Sequence, residues 1–371
     1  MLEIEEITCT KKLEEFKNSW QALLDCSKGD NLFATYELTT TWLNHFWNTK
    51  PILFLLVKNN NKPVALAPFL IDEEKDCLIF PVKHSQRPNL ICAANHEEVL
   101  TIVLSYLKKR FGRIKLHLQG VEFDSPLVDS LVRISSAFNL LTILKESDNS
   151  PFLTINTSWQ DYLKSKPNRI RHEQKRKVNK IRKAGQIDFI KVSSIGHIDS
   201  IMNDILQIER NSWKEKSGKS FTAVPGLKEY WVDLAKLGAQ KGWLCIYLLY
   251  LNSVPLAHIY GMIYMNKYFA LKTSYDESYR HLSPGIALFH YALQNAFQSN
   301  LKEFDFLGAE SHWKKEFTSD TRSHVDIIVC PRTIRSISYR YYKHKVKPFI
   351  KQKAPFIVTL RDKLRTLVKV G

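Results

Sequence analysis

The residues best suited to chemistry lie where a polar loop enters an amphipathic helix through Ser283-Pro284-Gly285. Serine is favoured just before a helix and proline at its first position, so this spacing predicts a helix that begins at Pro284. A glycine in the first turn weakens a helix but lets a ligand approach the backbone closely. Because the first amides of a helix are unpaired and partly positive, the loop is a candidate anion site, with Arg280 as an added cation. The same residues also fit an ordinary well-capped surface helix.

Two further candidates, Asp305 and Lys314, follow this helix along the chain. The alternation Glu303-Phe304-Asp305-Phe306-Leu307 predicts a strand in which Asp305 faces away from the two phenylalanines. A carboxylate on a central strand is costly unless it is paired or used. Asp305 can therefore orient a substrate amine or accept its proton, or it can form a buried ion pair with Lys314 or Arg280.

Positive charge is concentrated in two segments of a chain whose formal net charge is +17. Residues 164–183 carry ten Lys/Arg and one acid, and residues 331–371 carry twelve Lys/Arg and one acid. The first segment predicts a helix that is either a solvated surface or a polyanion contact. The second predicts a basic amphipathic tail that docks on an anionic membrane surface or on its own domain. No RNA-binding signature accompanies them, so specific nucleic-acid recognition is not expected.

Several common catalytic signatures are absent from the sequence, including the Walker phosphate loop, the dinucleotide-binding glycine motif, the nucleophile elbow and the zincin helix. The twelve histidines are dispersed, so neither a metal site nor a Ser-His-Asp triad is predicted. The six cysteines are scattered, mostly in apolar surroundings, and form no C-x-x-C pair, which indicates buried thiols in a reducing compartment. With no signal-peptide pattern and no apolar run long enough for a span, we expect a cytoplasmic protein without a metal cofactor, peripheral to a membrane only through its tail.

One layout of helices followed by a hairpin occurs twice along the chain. In the first copy, a helical segment with Trp20 precedes the hairpin strands Ile52–Val57 and Val64–Ile71. In the second, a helical segment with Trp213 precedes a hairpin between residues 244 and 264. Short apolar runs joined by Asn-containing turns are typical of hairpins. Duplication explains this order and spacing, although chance recurrence in a chain of this class is the alternative.

The second copy continues through four more predicted elements: a strand Tyr268–Ser274, the helix Pro284–Ser299, the strand Glu303–Leu307 and a last strand Val325–Cys330. The pattern predicts an α+β protein of two halves, residues 1–150 and 151–330, followed by the tail 331–371. Each half should contain a mixed, mostly antiparallel sheet flanked by helices.

The combination resembles the GNAT acyltransferase superfamily, and within it the CelD/BcsL-type acetyltransferases, whose members carry two GNAT-like halves. The resemblance covers most of residues 10–330. The resemblance rests on these residues: Lys183-Ala184-Gly185, the strand Leu256–Tyr264, Ser283-Pro284-Gly285, Asp305-Phe306 with Gly308, and Trp313-Lys314. The Fem-type peptidoglycan aminoacyl transferases share this layout more distantly.

The resemblance implies that residues 280–287 bind the pyrophosphate of acetyl-CoA or another acyl-CoA. The implied cofactor-binding residues are Arg280, Ser283, Pro284, Gly285, Ile286 and Ala287, with Ser283 where the superfamily has its first glycine. Asp305 and Lys314 are the implied catalytic residues. Trp313 stands where the family often has a tyrosine, and an indole cannot supply the acidic proton for the leaving thiolate.

These features together predict an acyl-CoA-dependent N-acyltransferase whose second half holds the cofactor and whose first half shapes the acceptor cleft. The acceptor would be a small, lipid-linked or nucleotide-linked amine, such as an amino sugar or an envelope polysaccharide precursor. Two alternatives remain open: an aminoacyl-tRNA-dependent transferase of the peptidoglycan type, and a non-catalytic GNAT-like scaffold at an anionic membrane.

Overall fold

A computed structural model describes residues 2–341, apart from Lys28, residues 82–86 and Pro88. The strands are β1 (Leu2–Ile7), β2 (Ile52–Asn59), β3 (Lys62–Asp72), β4 (Cys77–Ile79), β5 (Ile91–Cys92), β6 (Leu116–Glu122), β7 (Leu140–Glu146), β8 (Ser150–Thr154), β9 (Ile187–Val192), β10 (Ile246–Leu251), β11 (Val254–Tyr264), β12 (Lys267–Tyr275), β13 (Glu303–Asp305), β14 (Thr321–Arg322) and β15 (His324–Pro331). The helices are α1 (Thr10–Glu15), α2 (Lys17–Cys26), α3 (Tyr36–Phe46), α4 (His96–Phe111), α5 (Pro126–Ile134), α6 (Trp159–Ser165), α7 (Asn168–Arg182), α8 (Ile198–Arg210), α9 (Trp213–Lys216), α10 (Leu227–Gln240), α11 (Pro284–Gln298), α12 (His312–Lys315) and α13 (Ile334–Tyr341).

The strands form two mostly antiparallel sheets, which confirms the predicted fold class. The first sheet has the order β1-β2-β3-β4-β6-β15-β7, with β5 beside β3, and the second has the order β14-β8-β13-β12-β11-β10-β9. In each sheet, one described pair is parallel and brackets a crossover helix: β4 with β6 around α4, and β12 with β13 around α11. This shared plan accounts for the repeated layout in the sequence.

The predicted hairpins are present because their turns contain residues that tolerate a left-handed backbone. Asn60 and Asn61 join β2 to β3 with φ values of 48° and 64°. Asn252 and Ser253 join β10 to β11 with φ values of 49° and 66°. Two consecutive residues at positive φ match the right-handed twist of the flanking strands.

The last predicted strand lies in a different sheet from the one expected. The sequence pattern placed Val325–Cys330 at the end of the second half, but β15 inserts between β6 and β7 of the first sheet. Its apolar residues Val325, Ile327 and Val329 are buried in the core of that sheet. Alternating hydrophobicity predicts a strand but carries no information about its neighbours. The domain limits at residues 150 and 330 stay predictions.

Three apolar clusters hold the molecule together. The inner cluster joins α2 and α3 of the first half to α8 and α10 of the second, between the two sheets. The outer face of the first sheet packs on α4 and α5. The outer face of the second sheet packs on α6, α7 and α11. The inner cluster ties the halves together, and the third cluster fixes the helix that begins at Pro284.

Three local expectations need correction. The predicted helical segment with Trp213 is interrupted, since α8 ends at Arg210 and Ser212 accepts a hydrogen bond from the Lys214 amide at the start of α9. The predicted strand Glu303–Leu307 ends at Asp305. Only Cys92 and Cys245 of the six free cysteines are buried.

Within the described residues, no helix is long and apolar enough to cross a membrane. The predicted tail lies largely outside the described part, which ends in α13, so its docking on a membrane stays a prediction.

Candidate active site

The site begins where two parallel strands separate. β12 and β13 pair only at Lys267↔Glu303, Tyr268↔Phe304 and Phe269↔Asp305. β12 then continues to Tyr275, whereas β13 stops. On the edge of β12 that faces this opening, the carbonyl oxygen of Thr273 accepts a hydrogen bond from Lys214 Nζ. Because the N–H and C=O of one strand residue lie on the same side, the Thr273 amide also faces the opening, where it can donate to an oxyanion.

The helix entry at Ser283 differs from the predicted cap. Ser283 has φ 55° and ψ 49°, a left-handed conformation, and its side chain makes no capping hydrogen bond. Pro284 has no amide hydrogen, and the amides of Gly285 and Ile286 lie in the first turn, where no intrahelical carbonyl reaches them. A left-handed backbone is strained for serine, and strained residues of this kind are often found at ligand sites. The prediction of a helix at Pro284 is confirmed, but the hydroxyl of Ser283 does not satisfy its amides.

The equivalent helix of the first half, α4, shows the opposite arrangement. The side chain of Asn95 accepts hydrogen bonds from the amides of Glu97 and Glu98, and these two acids lie in the first turn. A capped terminus with acidic neighbours repels an anion, whereas the first turn of α11 contains no acid. The two halves therefore share a helix position but only the second has an anion-accepting entry.

A cavity of about 700 Å³, here called the helix-entry cavity, opens onto this terminus. Five of the six predicted cofactor residues line it: Arg280, Ser283, Pro284, Gly285 and Ile286. Ala287 does not, because its methyl group is buried in the core beneath α11. The opposite walls come from the end of β12 and from α9 and α12. Ser274, on β12, is 5% exposed and its hydroxyl has no partner among the described residues, so it can serve a bound ligand.

Residues 168–315 match the model of the acetyltransferase (GNAT) domain. This region has the GNAT fold. It begins at α7 and ends at α12, so it contains the whole helix-entry cavity apart from Glu316.

The similar solved structures cover both halves. FemX shares 12% identity over 91% of this chain and 99% of its own, with a TM-score of 0.56. L-PGS from Bacillus licheniformis shares 12% identity over 92% of this chain and 98% of its own, with a TM-score of 0.56. A tandem GNAT protein from the clavulanic acid biosynthesis pathway shares 9% identity over 89% of this chain and 99% of its own, with a TM-score of 0.51. No curated protein sequence matches. These likenesses confirm the tandem fold and no more.

Lys314 stands beside the opening in the GNAT half. Its Nζ donates hydrogen bonds to the carbonyl oxygens of Leu307 and of Ala309, the latter at 2.9 Å. Leu307 and Gly308 both have positive φ, 48° and 58°, and this left-handed turn wraps the backbone around the ammonium. Burial lowers the pKa of Lys314 to about 8, a shift that Asp305 opposes and Lys214 reinforces. A lysine with such a pKa can exchange a proton near neutral pH.

Asp305, the other predicted catalytic residue, is fully buried. It lines neither the helix-entry cavity nor the adjacent cavity between Lys272 and Lys314. Its carboxylate accepts hydrogen bonds from Arg87, from Arg322 Nη1 at 3.0 Å and from the Leu307 amide at 2.9 Å. The structure therefore favours the ion-pair alternative, although the partners are two arginines rather than Lys314 or Arg280. Arg87 comes from the first half, so the contact joins the halves behind the site.

We expect Asp305→Asn to lower the free energy of unfolding by about 3 kcal/mol, because the buried Arg87 guanidinium loses its anion, whereas Arg322 keeps Glu303 as a partner. Urea unfolding measures this. The exposed pair Glu97–Arg133 provides the control, since Glu97→Gln should cost less than about 1 kcal/mol. A fall in kcat of a hundredfold or more with unchanged stability would instead assign Asp305 to proton transfer.

Three further residues lie at the site. Thr273 belongs to the predicted strand Tyr268–Ser274 and Lys177 to the predicted basic helix, whereas Lys214 is new. Lys214 follows Trp213, whose helical segment repeats that of Trp20 in the sequence, but the two tryptophans differ. Trp20 is 1% exposed in the core, whereas Trp213 is 47% exposed and lines the helix-entry cavity.

Most of the basic segment 164–183 forms the predicted helix, α7 (Asn168–Arg182), which flanks this cavity, while Lys164 lies in the last turn of α6. Lys177 lines the cavity and donates to Glu316 at 2.8 and 3.0 Å. Val178 and Ile181 are buried, so the narrow apolar stripe holds the helix against α11. Most of the other basic side chains of α7 are exposed, so they can meet a polyanionic ligand that extends from the cavity past Lys177. Among the described residues, no group of three or more His, Cys, Asp or Glu side chains could hold a metal ion.

Proposed function

We propose that the protein is an acyl-CoA-dependent N-acyltransferase that uses acetyl-CoA or a longer acyl-CoA and modifies an amine acceptor. The observation that carries this proposal is the uncapped, acid-free entry of α11, which opens into a 700 Å³ cavity at the separation of β12 and β13. The first-turn amides and Arg280 suit a pyrophosphate. The GNAT match over residues 168–315 supports the acyl-transfer class.

The residues suit direct attack of an amine on the thioester. The Thr273 amide would donate to the carbonyl oxygen as negative charge develops on it. Protonated Lys314 would give its proton to the departing thiolate, and neutral Lys314 would then take the proton that the attacking nitrogen loses. Thiol and lysine are matched for this exchange, because an ordinary thiol has a pKa of roughly 8.5 and that of Lys314 is about 8. Trp313 then needs no acidic role.

Further assignments follow the family resemblance and belong to the same proposal. The protein would be a CelD/BcsL-type enzyme of the cytoplasm, and its acceptor a small, lipid-linked or nucleotide-linked amine in envelope polysaccharide synthesis. The tail would hold it at the anionic inner face of the membrane.

Thermal melting with a panel of ligands tests the proposal. Acetyl-CoA, longer acyl-CoAs and CoA should raise the melting temperature by mass action, and at equal concentration a tighter ligand should raise it more. At a hundred times its dissociation constant, a ligand should add about 2.7 kcal/mol to the free energy of unfolding. The absence of any shift with every CoA compound would contradict the proposal.

A second candidate, an aminoacyl-tRNA-dependent transferase, is favoured by one observation. The exposed basic face of α7 lies beside the helix-entry cavity and could follow an RNA backbone. FemX and L-PGS share this fold, but at 12% identity the likeness does not decide the donor. Filter binding of charged tRNA, compared with uncharged tRNA, distinguishes the candidates. Salt-resistant retention of charged tRNA, together with no melting shift from acyl-CoA, would support the second.

A further inference from the structure

A second cavity, of about 460 Å³, lies on the other side of the opening between β12 and β13. Its wall contains four lysines, Lys214, Lys219, Lys272 and Lys314, and we call it the lysine cavity. It shares Lys214, Thr273 and Lys314 with the helix-entry cavity. The two cavities therefore meet at the Thr273 backbone, where the thioester carbonyl would lie in the proposed function.

No acidic side chain lines the lysine cavity. Three of its lysines donate instead to backbone carbonyl oxygens: Lys214 to Thr273, Lys272 to Lys219 at 2.8 Å, and Lys314 to Leu307 and Ala309. Carbonyl oxygens carry only partial charge. The arrangement leaves a concentrated positive charge on one wall.

The nearest carboxylate is that of Glu209, and it does not cancel this charge. Glu209 is fully buried on α8, and its Oε1 lies 3.0 Å from His258 Nε2. Its Oε2 lies 4.0 Å from Lys272 Nζ and has no hydrogen-bond partner among the described residues. Glu209 acts on Lys214 and Lys272, and Asp305 and Asp148 act on Lys314, but none of these acids lines the cavity.

Burial makes this charge costly. Burial lowers the pKa of Lys272 to about 8, although the nearby Glu209 opposes this shift. Burial also lowers the pKa of Lys214. Such a cluster of poorly neutralised cations is compensated when an anion enters. The remaining wall is apolar and includes Trp231 and Phe306, which suits the body of a small organic molecule.

We propose that the lysine cavity binds a carboxylate or phosphate group of the acceptor, so that the substrate is an amine that also carries an anionic oxygen group. This inference rests on the proposed acyltransferase function. With its anion held by Lys219 and Lys272, such a molecule would present its amine toward Thr273, where the two cavities meet. A neutral amine would lack this anchor and would leave the lysines with only backbone carbonyl oxygens and the buried Glu209 as partners.

Paired amines test the inference in the full-length protein, with acetyl-CoA as donor and release of CoA as the readout. Each pair shares its amine and differs in charge: an amino acid and its amide, an amino sugar phosphate and the free amino sugar, a nucleotide-linked amino sugar and its neutral glycoside. We expect the anionic member of at least one pair to show a kcat/KM about a hundredfold higher, since two charge-assisted contacts are gained. The pair that responds distinguishes carboxylate from phosphate.

Two variants locate the effect. Lys219→Gln, at an exposed position, and Lys272→Gln should each raise KM for the preferred anionic amine about tenfold and leave the melting shift from acetyl-CoA unchanged. The exposed lysine Lys62 in the β2–β3 hairpin provides the control, because Lys62→Gln should change neither value. Lys219→Gln keeps the test valid if Lys272→Gln fails to fold.

Three results would overturn the inference. Equal kcat/KM for charged and neutral partners, with a normal acetyl-CoA shift, would refute it and leave the proposed function standing. Weaker acetyl-CoA binding in both lysine variants would assign the cavity to the donor instead. Absence of any acyl-CoA binding would overturn both proposals together.

Discussion

Gly285→Glu should abolish stabilisation by acyl-CoA while leaving the fold intact. The new carboxylate would lie in the first turn of α11, against the amides that face the cavity, and would exclude a pyrophosphate by charge and volume. Losing two charge-assisted contacts to the pyrophosphate would weaken the binding free energy by about 4 kcal/mol. The dissociation constant of acyl-CoA would rise roughly a thousandfold. An acid at a helix N-terminus is itself mildly stabilising, so the unliganded variant should melt near the wild-type temperature.

Two matched variants control for the mutation itself. Gly196→Glu introduces the same charge at an exposed glycine with open space around it, and should retain the full acetyl-CoA shift. Gly285→Ala adds a methyl group only 3.5 Å from the Tyr275 ring, an ordinary contact, and should fold normally with intermediate binding. A Gly285→Glu protein that still shows the wild-type shift would rule out this helix entry as the donor site.

Lys314→Met should lower kcat by about a thousandfold, within the range for loss of a general acid-base group. The thioether side chain approximates the volume of the lysine stem but carries no proton. Because the amides of α11 are untouched, the melting shift from acetyl-CoA should be preserved. A kcat within tenfold of wild type would exclude a direct role in proton transfer.

The pH dependence provides a second readout for Lys314. The proposed reaction starts from its protonated form, and its pKa is lowered to about 8, so kcat should fall as pH rises through 8. The charged groups that set this value are Asp305, which raises the pKa, and Lys214, which lowers it, with a smaller rise from Asp148. Lys314→Arg keeps its charge across this range, so its residual activity should lose the fall near pH 8. An unchanged pH profile in that variant would contradict the assignment.

Local sequence signals predicted much of this site. The Pro284 helix start, the hairpins with Asn-containing turns and the alternation around Asp305 all depend on neighbours in the chain, and all are present. The lining of the cavity by Arg280 and by Ser283 to Ile286 follows from the same local geometry.

Features that depend on distant parts of the chain could not be predicted. Arg87 lies 218 residues from Asp305, and nothing near either residue indicates that they pair. The left-handed backbone of Ser283 could not be inferred either, because serine before a helix normally accepts a hydrogen bond from its amides. The lysine cavity gathers Lys214, Lys272 and Lys314 from three elements, so their common location appears only after folding.

The position of β15 determines the order in which the molecule can assemble. Among the strands that the structure describes, β7 joins the first sheet only through β15, and β15 (residues 324–331) is synthesised after every strand of the second sheet. During synthesis, β6 of the first sheet therefore has no strand to pair with on one side until β15 emerges. By then the described strands of the second sheet have all been made. A gene cut between the halves would deprive the first sheet of β15, the strand that joins β6 to β7, so the earlier part of the chain is completed by its last described strand.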